Sequence, residues 1–199
     1  MKLALTFDDG PSQWTGPVLQ LLHEHDARAT FFLIGQRVRE RPDDVRRIVE
    51  AGHEIGSHTM THPRLTEIGD DEVRREIQDG ARAVAEVVGE RPRLFRAPGF
   101  HADERVCRIV AELKLDMVSA DIDPQDWQPG VVSHRILSAV LVRCRNGCIV
   151  DLHDGFPPPP TRSRDDCTPT VEALWHLLPA LRAGGYELVT VSELSATAE

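Results

Sequence analysis

Two adjacent carboxylates, Asp8 and Asp9, follow a short apolar run near the start of the chain. Carboxylates at the end of a buried strand are costly unless they bind a cation or stay solvated. Because side chains alternate along a strand, the two should point in different directions and serve different roles. The alternative interpretation is a simple Asp-Gly-Pro turn that carries no chemistry.

Two histidines, His58 and His62, lie four residues apart. This spacing puts both imidazoles on one side of a helical turn, which suits metal chelation, although exposed histidines would give the same pattern. Together with Asp9 they form a His-His-Asp set, typical of zinc with open coordination positions or of a non-haem iron centre. The iron alternative is disfavoured because such centres usually have the first histidine and the carboxylate one residue apart, on a different all-β fold.

Further polar residues stand close to other apolar runs. His153 ends one such run and could be a metal ligand or a proton carrier. Arg96, Asp126 and Trp127 are each ordinary structural residues when considered singly. A buried Arg–Asp pair beside a histidine would, however, tune the pKa of that histidine.

The elements that must position these residues alternate along the chain. Short apolar runs predict strands at residues 3–7, 30–34, 53–55, 94–96, 117–120, 148–153 and 187–191. Amphipathic stretches between them predict helices, capped by Thr15, by Asp43 or Asp44, by Asp70, by Ser133 and by Thr170. Parallel α/β folds place their active sites at the C-terminal ends of strands, where the polar residues above occur.

This alternation predicts an α/β fold with a parallel sheet. About seven strand–helix units in 199 residues favour a small, distorted and incomplete (β/α) barrel with about seven parallel strands. A doubly wound open sheet is the alternative, but the first strand lacks the glycine-rich turn of a dinucleotide site.

Five segments resemble, in order and spacing, the motifs of polysaccharide deacetylases, the NodB-homology group of carbohydrate esterase family 4. They are residues 6–10, 58–62, 96–98, 123–127 and the run that ends at His153. The resemblance extends from Lys2 to about Leu194, so it implies a single NodB-like domain over residues 1–199. Residues 184–194 also resemble the final strand of the family.

The resemblance implies a set of roles for the polar residues. Asp9, His58 and His62 would bind a divalent metal, usually Zn²⁺, with Co²⁺ or another divalent ion as alternatives. Asp8 would be the general base toward the attacking water. His153 would be the general acid that protonates the departing amine.

The resemblance also implies supporting roles around these groups. Arg96 and Asp126 would orient and tune the acid and the base, and Trp127 would form a wall of the acyl pocket. An oxyanion needs a backbone N–H, expected near Pro98, Gly99 and Phe100. Here the sequence departs from the family, in which an aromatic residue precedes the glycine of this motif.

A larger departure concerns Asp151, because the family has an aliphatic residue two positions before the histidine. Period-two alternation puts Asp151 on the same face as His153, so its carboxylate should line the acyl pocket. Three hypotheses follow. Asp151 keeps His153 protonated by charge pairing, or the acyl group is polar or cationic, or a register shift leaves Leu152 to do the packing.

The composition excludes several classes of protein. A formal net charge of −9 without a basic stripe argues against nucleic-acid binding. No apolar run approaches the roughly 20 residues that span a membrane. The charged N-terminus does not resemble a signal peptide, so we expect a cytoplasmic protein, or a secreted one whose leader was removed. Four scattered cysteines do not form a disulfide scaffold, and Cys144 with Cys148 is weak evidence for zinc.

The proline-rich segment 156–170 should form an extended loop that borders the substrate together with Trp14 and Phe100. Only 5% of residues are aromatic, so a long polysaccharide-stacking platform is not evident. The favoured function is therefore removal of an N-acyl group, with acetyl the first choice, from an amino sugar in a short oligosaccharide or glycosylated metabolite. The alternatives are a xylan-type O-acetyl esterase, a cyclic-imide or ureide hydrolase, and a non-catalytic carbohydrate-binding module.

Overall fold

The computed structural model describes residues 1–157 and 166–196. Within them the strands are β1 (Lys2–Asp8), β2 (Ala29–Leu33), β3 (Glu54–Ser57), β4 (Leu94–Phe95), β5 (Asp116–Met117), β6 (Ile149–His153) and β7 (Glu187–Leu188). All seven predicted strands are confirmed, with small differences in their bounds. The predicted strand 187–191 ends early because Thr190 forms a capping box at the start of a short helix.

The helices are α1 (Thr15–Glu24), α2 (Gly35–Glu40), α3 (Pro42–Glu50), α4 (Asp70–Val88), α5 (Glu104–Glu112), α6 (Ser133–Arg143), α7 (Thr168–Ala183) and α8 (Val191–Ser195). The five predicted helices are present, and α2, α5 and α8 were not predicted. The predicted caps were wrong: α1, α3, α4, α6 and α7 begin without a side-chain cap hydrogen bond. Thr15 and Thr170 instead donate their hydroxyls to the buried carboxylates of Asp154 and Asp126.

The strands form one parallel sheet in the order β5-β4-β3-β2-β1-β6, and β7 pairs with the first residues of β1. Ile122, which follows β5 in the chain, forms a parallel bridge to Val150 in β6. The segment after one edge strand thus reaches the opposite edge, so the sheet curls on itself. This arrangement confirms the distorted, incomplete (β/α) barrel.

The two faces of β1 separate the core from the site. Leu3, Leu5 and Phe7 are fully buried and pack into the hydrophobic cluster shared with the helices. Thr6 and Asp8 alternate with them and face the inside of the barrel. The central strands are buried on both faces, as expected of a parallel sheet covered by helices.

Among the described residues, no helix combines the length and apolar character needed to cross a bilayer. All four cysteines are free thiols. Among the described residues, two groups of side chains are close enough to hold a metal ion, Asp9 with His58 and His62, and Asp8 with Asp151 and His153, and neither includes a cysteine.

Candidate active site

The carboxyl ends of the strands open into a cavity of about 450 Å³. Its lining residues are Asp8, Asp9, His58, His62, Arg64, Pro98, Gly99, Phe100, His101, Asp123, Trp127, Asp151, His153, Phe156 and Pro157. The cavity therefore lies at the edge of the sheet at which the sequence predicted the site. Arg64 and His101 were not predicted, because isolated loop residues carry no pattern that marks a pocket. Asp123 belongs to the 123–127 motif, but no role was predicted for it.

Asp9, His58 and His62 converge at one point of this cavity. The Nε2 atoms of His62 and His58 lie 3.3 and 3.6 Å from Asp9 Oδ1. Asp9 and His62 both have left-handed backbone angles, with φ of 71° and 65°. Non-glycine residues rarely adopt this conformation, and such strain concentrates at functional sites.

The three side chains fit a divalent cation. Asp9 Oδ1 is buried and accepts no hydrogen bond from the described residues. Burial lowers the pKa of both His58 and His62 to about 3, so the imidazoles are neutral and can offer lone pairs. His58 Nδ1 lies 2.9 Å from the carbonyl oxygen of Arg96, and a hydrogen bond donated there directs Nε2 toward Asp9. An orphaned carboxylate oxygen that faces two neutral imidazole nitrogens is an arrangement that a cation completes.

Arg96 joins the carboxylates on the other side of the cavity. Its Nη1 donates to Thr6 Oγ1 at 2.7 Å, to Asp8 Oδ1 at 2.8 Å and to Asp151 Oδ1 at 3.0 Å. The guanidinium is fully buried and lies 4.1 Å from the ring centroid of Phe32. Arg96 thus supports Asp8, as the resemblance implied, and also binds Asp151, a contact that was not predicted.

His153 is held by Asp126 through its ring and its backbone. His153 Nδ1 lies 2.8 Å from Asp126 Oδ1, and the His153 backbone N–H donates to Asp126 Oδ2 at 2.8 Å. Thr170 donates to the same Oδ2 at 2.8 Å. Burial by itself lowers the pKa of His153, but the charges of Asp126 and Asp151 outweigh burial and leave it well above 6.5.

Asp151 faces the barrel interior beside His153. The β1–β6 pairing aligns Thr6 with Asp151 and Asp8 with His153, so the strand has the register that alternation predicts. Leu152 is buried in the opposite, helix-facing core. The register-shift hypothesis is therefore wrong, while the charge-pairing and polar-acyl hypotheses remain.

The turn Pro98–Phe100 supplies the backbone next to the cavity. Proline has no N–H, and the Phe100 N–H donates to the Ala97 carbonyl oxygen at 2.9 Å. Among the described residues the Gly99 N–H has no backbone acceptor, so it is the group that this turn offers to a ligand. Gly99 also has a φ of 59°, in the left-handed region that glycine adopts readily.

Other predicted border residues separate into two groups. Trp127 and Phe100 line the cavity and are 36% and 38% exposed, so they form part of its rim. Trp14 is not among the described residues that line it. Phe156 and Pro157 do line it, whereas residues 158–165 lie outside the described residues. The end of the predicted loop 156–170 was wrong, because α7 already begins at Thr168.

Sequence reasoning missed the role of Asp154, which follows His153. The Asp154 side chain is fully buried and accepts a hydrogen bond from Thr15. A Cβ at position 10 would lie 2.4 Å from Asp154 Oδ1, so Gly10 is needed where the turn after β1 passes this carboxylate. A second carboxylate after a buried strand was the available signal, as it was for Asp8 and Asp9.

Comparison with known proteins supports the family resemblance that the five sequence motifs indicated. Residues 1–118 match the family model described as polysaccharide deacetylase. The chain is 43% identical to a chitooligosaccharide deacetylase of Bradyrhizobium sp. (strain ANU 289), over 96% of this chain and 89% of the relative. It is 41% identical to a peptidoglycan-N-acetylglucosamine deacetylase of Bacillus cereus, over 96% of this chain and 87% of the relative.

A solved structure is similar over nearly the whole chain. It is a family 4 acetyl xylan esterase from Clostridium thermocellum in complex with a cobalt ion, with a TM-score of 0.88 and 34% identity, over 99% of this chain and 91% of the esterase. These matches cover most of the chain and agree with its motifs and its barrel fold. The chain belongs to the polysaccharide deacetylase family, the NodB-homology group of carbohydrate esterase family 4.

Proposed function

We propose that the chain is a metal-dependent hydrolase that removes the N-acetyl group from an amino sugar in a chito-oligosaccharide or a related glycan. The carrying observation is that three candidate metal ligands, the Asp8 carboxylate and the imidazole of His153 converge on one cavity. A sugar-binding module would need neither Asp8 nor His153. The named relatives act on substrates of this class. We also propose that residues 1–199 form a single NodB-like domain, in line with the coverage of these relatives.

We propose that Asp9, His58 and His62 hold the metal and that the ion is Zn²⁺. One carboxylate and two imidazoles form a three-ligand set typical of catalytic zinc, and Co²⁺ often occupies such sites. When bound, a divalent metal polarises the amide carbonyl and makes water easier to deprotonate.

Two residues beside the metal ligands would then carry out the proton transfers, one to Asp8 and one from His153. Arg96 holds Asp8 Oδ1, which leaves Oδ2 to accept the proton of the attacking water. His153, paired with Asp8 across the β1–β6 ladder, gives its Nε2 proton to the departing amine. The Gly99 N–H donates to the oxygen that gains negative charge, and Trp127 borders the acetyl methyl.

The test is mass-spectrometric and uses Zn²⁺- and Co²⁺-loaded protein with chitin oligomers, acetylxylan and cyclic imides. We expect metal-dependent loss of acetyl groups from the chitin oligomers, and no loss with the Asp9→Ala variant. Preference for acetylxylan would favour an esterase, and ring opening of an imide would favour that class of hydrolase. Metal binding without turnover of any of these substrates would contradict the proposal.

The Asp126→Asn substitution should narrow the pH range of activity from its basic side. His153 acts while protonated, so activity is present below its raised pKa and is lost as the pH rises through it. Removing the adjacent negative charge lowers that pKa, and the basic limb of the kcat profile should move down by about 1–3 pH units. The acidic limb should stay in place. If the basic limb of the Asp126→Asn variant stayed at the pH of the wild type, a group other than His153 would control it.

The Asp151→Leu substitution separates the two remaining hypotheses for this carboxylate. We propose charge pairing, because a carboxylate oxygen of Asp151 lies within 4.8 Å of a ring nitrogen of His153, and its negative charge raises the pKa of that histidine. The basic limb of the kcat profile should then move down by about one pH unit, and turnover of acetylated substrate at a pH above that limb should fall by up to about tenfold. Asp151→Asn is the matched variant, since it removes the charge and keeps the volume, and it should give a similar loss. Faster acetyl removal by Asp151→Leu would instead favour a polar or cationic acyl substrate.

A further inference from the structure

The segment that carries both metal-binding histidines is held by one side chain from a neighbouring helix. Glu76, on α4, accepts hydrogen bonds at Oε2 from the backbone N–H groups of Met60 and Thr61, at 3.0 and 2.9 Å. Its Oε1 accepts a further bond from the Thr61 hydroxyl at 2.8 Å. Both carboxylate oxygens of Glu76 therefore bind the short segment between His58 and His62.

The same helix supports this segment a turn further on. Gly80 lies against Thr59, so that a Cβ at position 80 would be 2.5 Å from the Thr59 carbonyl group and 3.0 Å from the Met60 backbone nitrogen. No side chain fits there without displacing backbone. Glu76 and Gly80 are four residues apart and so lie on one face of α4.

A second helix fixes the opposite edge of the segment. The backbone N–H groups of Gly35 and Gln36, at the start of α2, donate to the carbonyl oxygens of Thr59 and Met60, each at 2.9 Å. The carbonyl groups of the segment are thus bound by α2, while its N–H groups are bound by Glu76.

The segment needs this support because its backbone is strained. Thr59 and His62 have φ values of 66° and 65°, and both are non-glycine residues in the left-handed region. The Thr59 hydroxyl also accepts a hydrogen bond from the His62 N–H at 3.0 Å. Without external bonds, relaxation of either residue would rotate the segment and separate the two imidazoles.

We infer that Glu76 is a positioning residue that sets the metal affinity of the site by holding residues 58–62 in their chelating conformation. Glu76 is not among the described residues that line the cavity, and it acts through the backbone of Met60 and Thr61. The inference rests on the proposed metal site. Its effect should appear in metal binding itself, before any substrate is present.

The test measures Co²⁺ and Zn²⁺ affinity of metal-free protein by competition with a chromophoric chelator, and records the visible absorption of bound Co²⁺. Glu76→Ala should weaken binding by about 10- to 100-fold, the usual effect of losing a partner that orients metal ligands. Glu76→Gln keeps an acceptor oxygen for the two N–H groups, so the loss should be smaller than with alanine. Glu72→Ala, at an exposed position on the same helix, is the matched control and should bind as the wild type does.

A purely structural role for Glu76 would lower the Tm of the metal-free protein and leave the affinity and the Co²⁺ spectrum unchanged. Wild-type affinity in Glu76→Ala would overturn the inference. If the alanine variant does not fold, Glu76→Met serves in the same measurement, because it also lacks an acceptor for the two N–H groups but keeps the length of the side chain. Gly80→Ala retains Glu76 but displaces Thr59, and it should also weaken binding. If the wild-type protein itself binds neither ion, the proposed metal site fails, a result distinct from failure of the Glu76 inference.

Discussion

The Asp8→Asn substitution should lower kcat by about 10²- to 10⁴-fold, the range for loss of a general base. Asparagine keeps the shape of the side chain and can still accept the hydrogen bond from Arg96, which lies 2.8 Å from Asp8 Oδ1. It cannot take a proton from water at neutral pH. The measurement is steady-state turnover of a chitin oligomer by protein whose metal content has been determined.

The matched variant for this prediction is Asp9→Asn, which changes the neighbouring carboxylate. Asp9 Oδ1 faces both histidines, so its loss should reduce metal affinity together with activity. Asp8→Asn should retain its metal to within a few-fold of the wild type. The contrast matters because Asp8 Oδ2 lies 3.6 Å from His58 Nε2, close enough for Asp8 to be mistaken for a ligand. Loss of the metal from Asp8→Asn would contradict its assignment as the base.

The positions of the site residues could be predicted from the sequence because parallel strands end at a common edge. Asp8, Asp9 and His153 follow apolar runs, and period-two alternation then gave the correct face for Asp151. These are local properties of strands. They hold regardless of which other element lies opposite.

The partners of these residues could not be predicted in the same way. The sequence suggested an Arg–Asp pair of Arg96 and Asp126 beside a histidine, whereas Arg96 binds Asp8 and Asp151, and Asp126 binds His153. The choice depends on strand order and curvature, which bring distant segments together. The same holds for Thr15 and Thr170, which lie near helix starts where a cap is expected. Their hydroxyls instead donate hydrogen bonds to buried carboxylates that are distant in the sequence.

Glu76 shows why supporting residues escape sequence reasoning. In the sequence it is one of several charged residues on an amphipathic helix and has the pattern of a solvated face. Its proposed function depends on the packing of α4 against the segment after β3, and no pattern in the sequence around Glu76 indicates that packing.

The Arg96→Met substitution should destabilise the protein by about 3–5 kcal/mol, the usual cost of removing one partner from a buried ion pair. Arg96 is fully buried, and its Nη1 serves two carboxylates that are themselves 3% and 2% exposed. Burial and the Asp8 charge already raise the pKa of Asp151, and without the guanidinium the two carboxylates must either repel each other or take up a proton. The free energy of unfolding from urea titration measures this effect. Arg93→Met is the control, since its pair with Asp116 is exposed and worth about 1 kcal/mol at most.

A double variant tests whether the cost arises from the unpaired charges rather than from lost packing. Adding Asp151→Leu to Arg96→Met removes one of the two carboxylates and should restore about 1–3 kcal/mol, a coupling expected of residues in contact. Restoration would show that Asp151 is retained in the wild type because Arg96 balances it. Additive losses from the two single changes would instead place the cost in the stacking of Arg96 on Phe32, whose ring centroid lies 4.1 Å from the guanidinium carbon. In that case Asp151 and Arg96 would be energetically independent, and the 3.0 Å contact between them would contribute nothing measurable to stability.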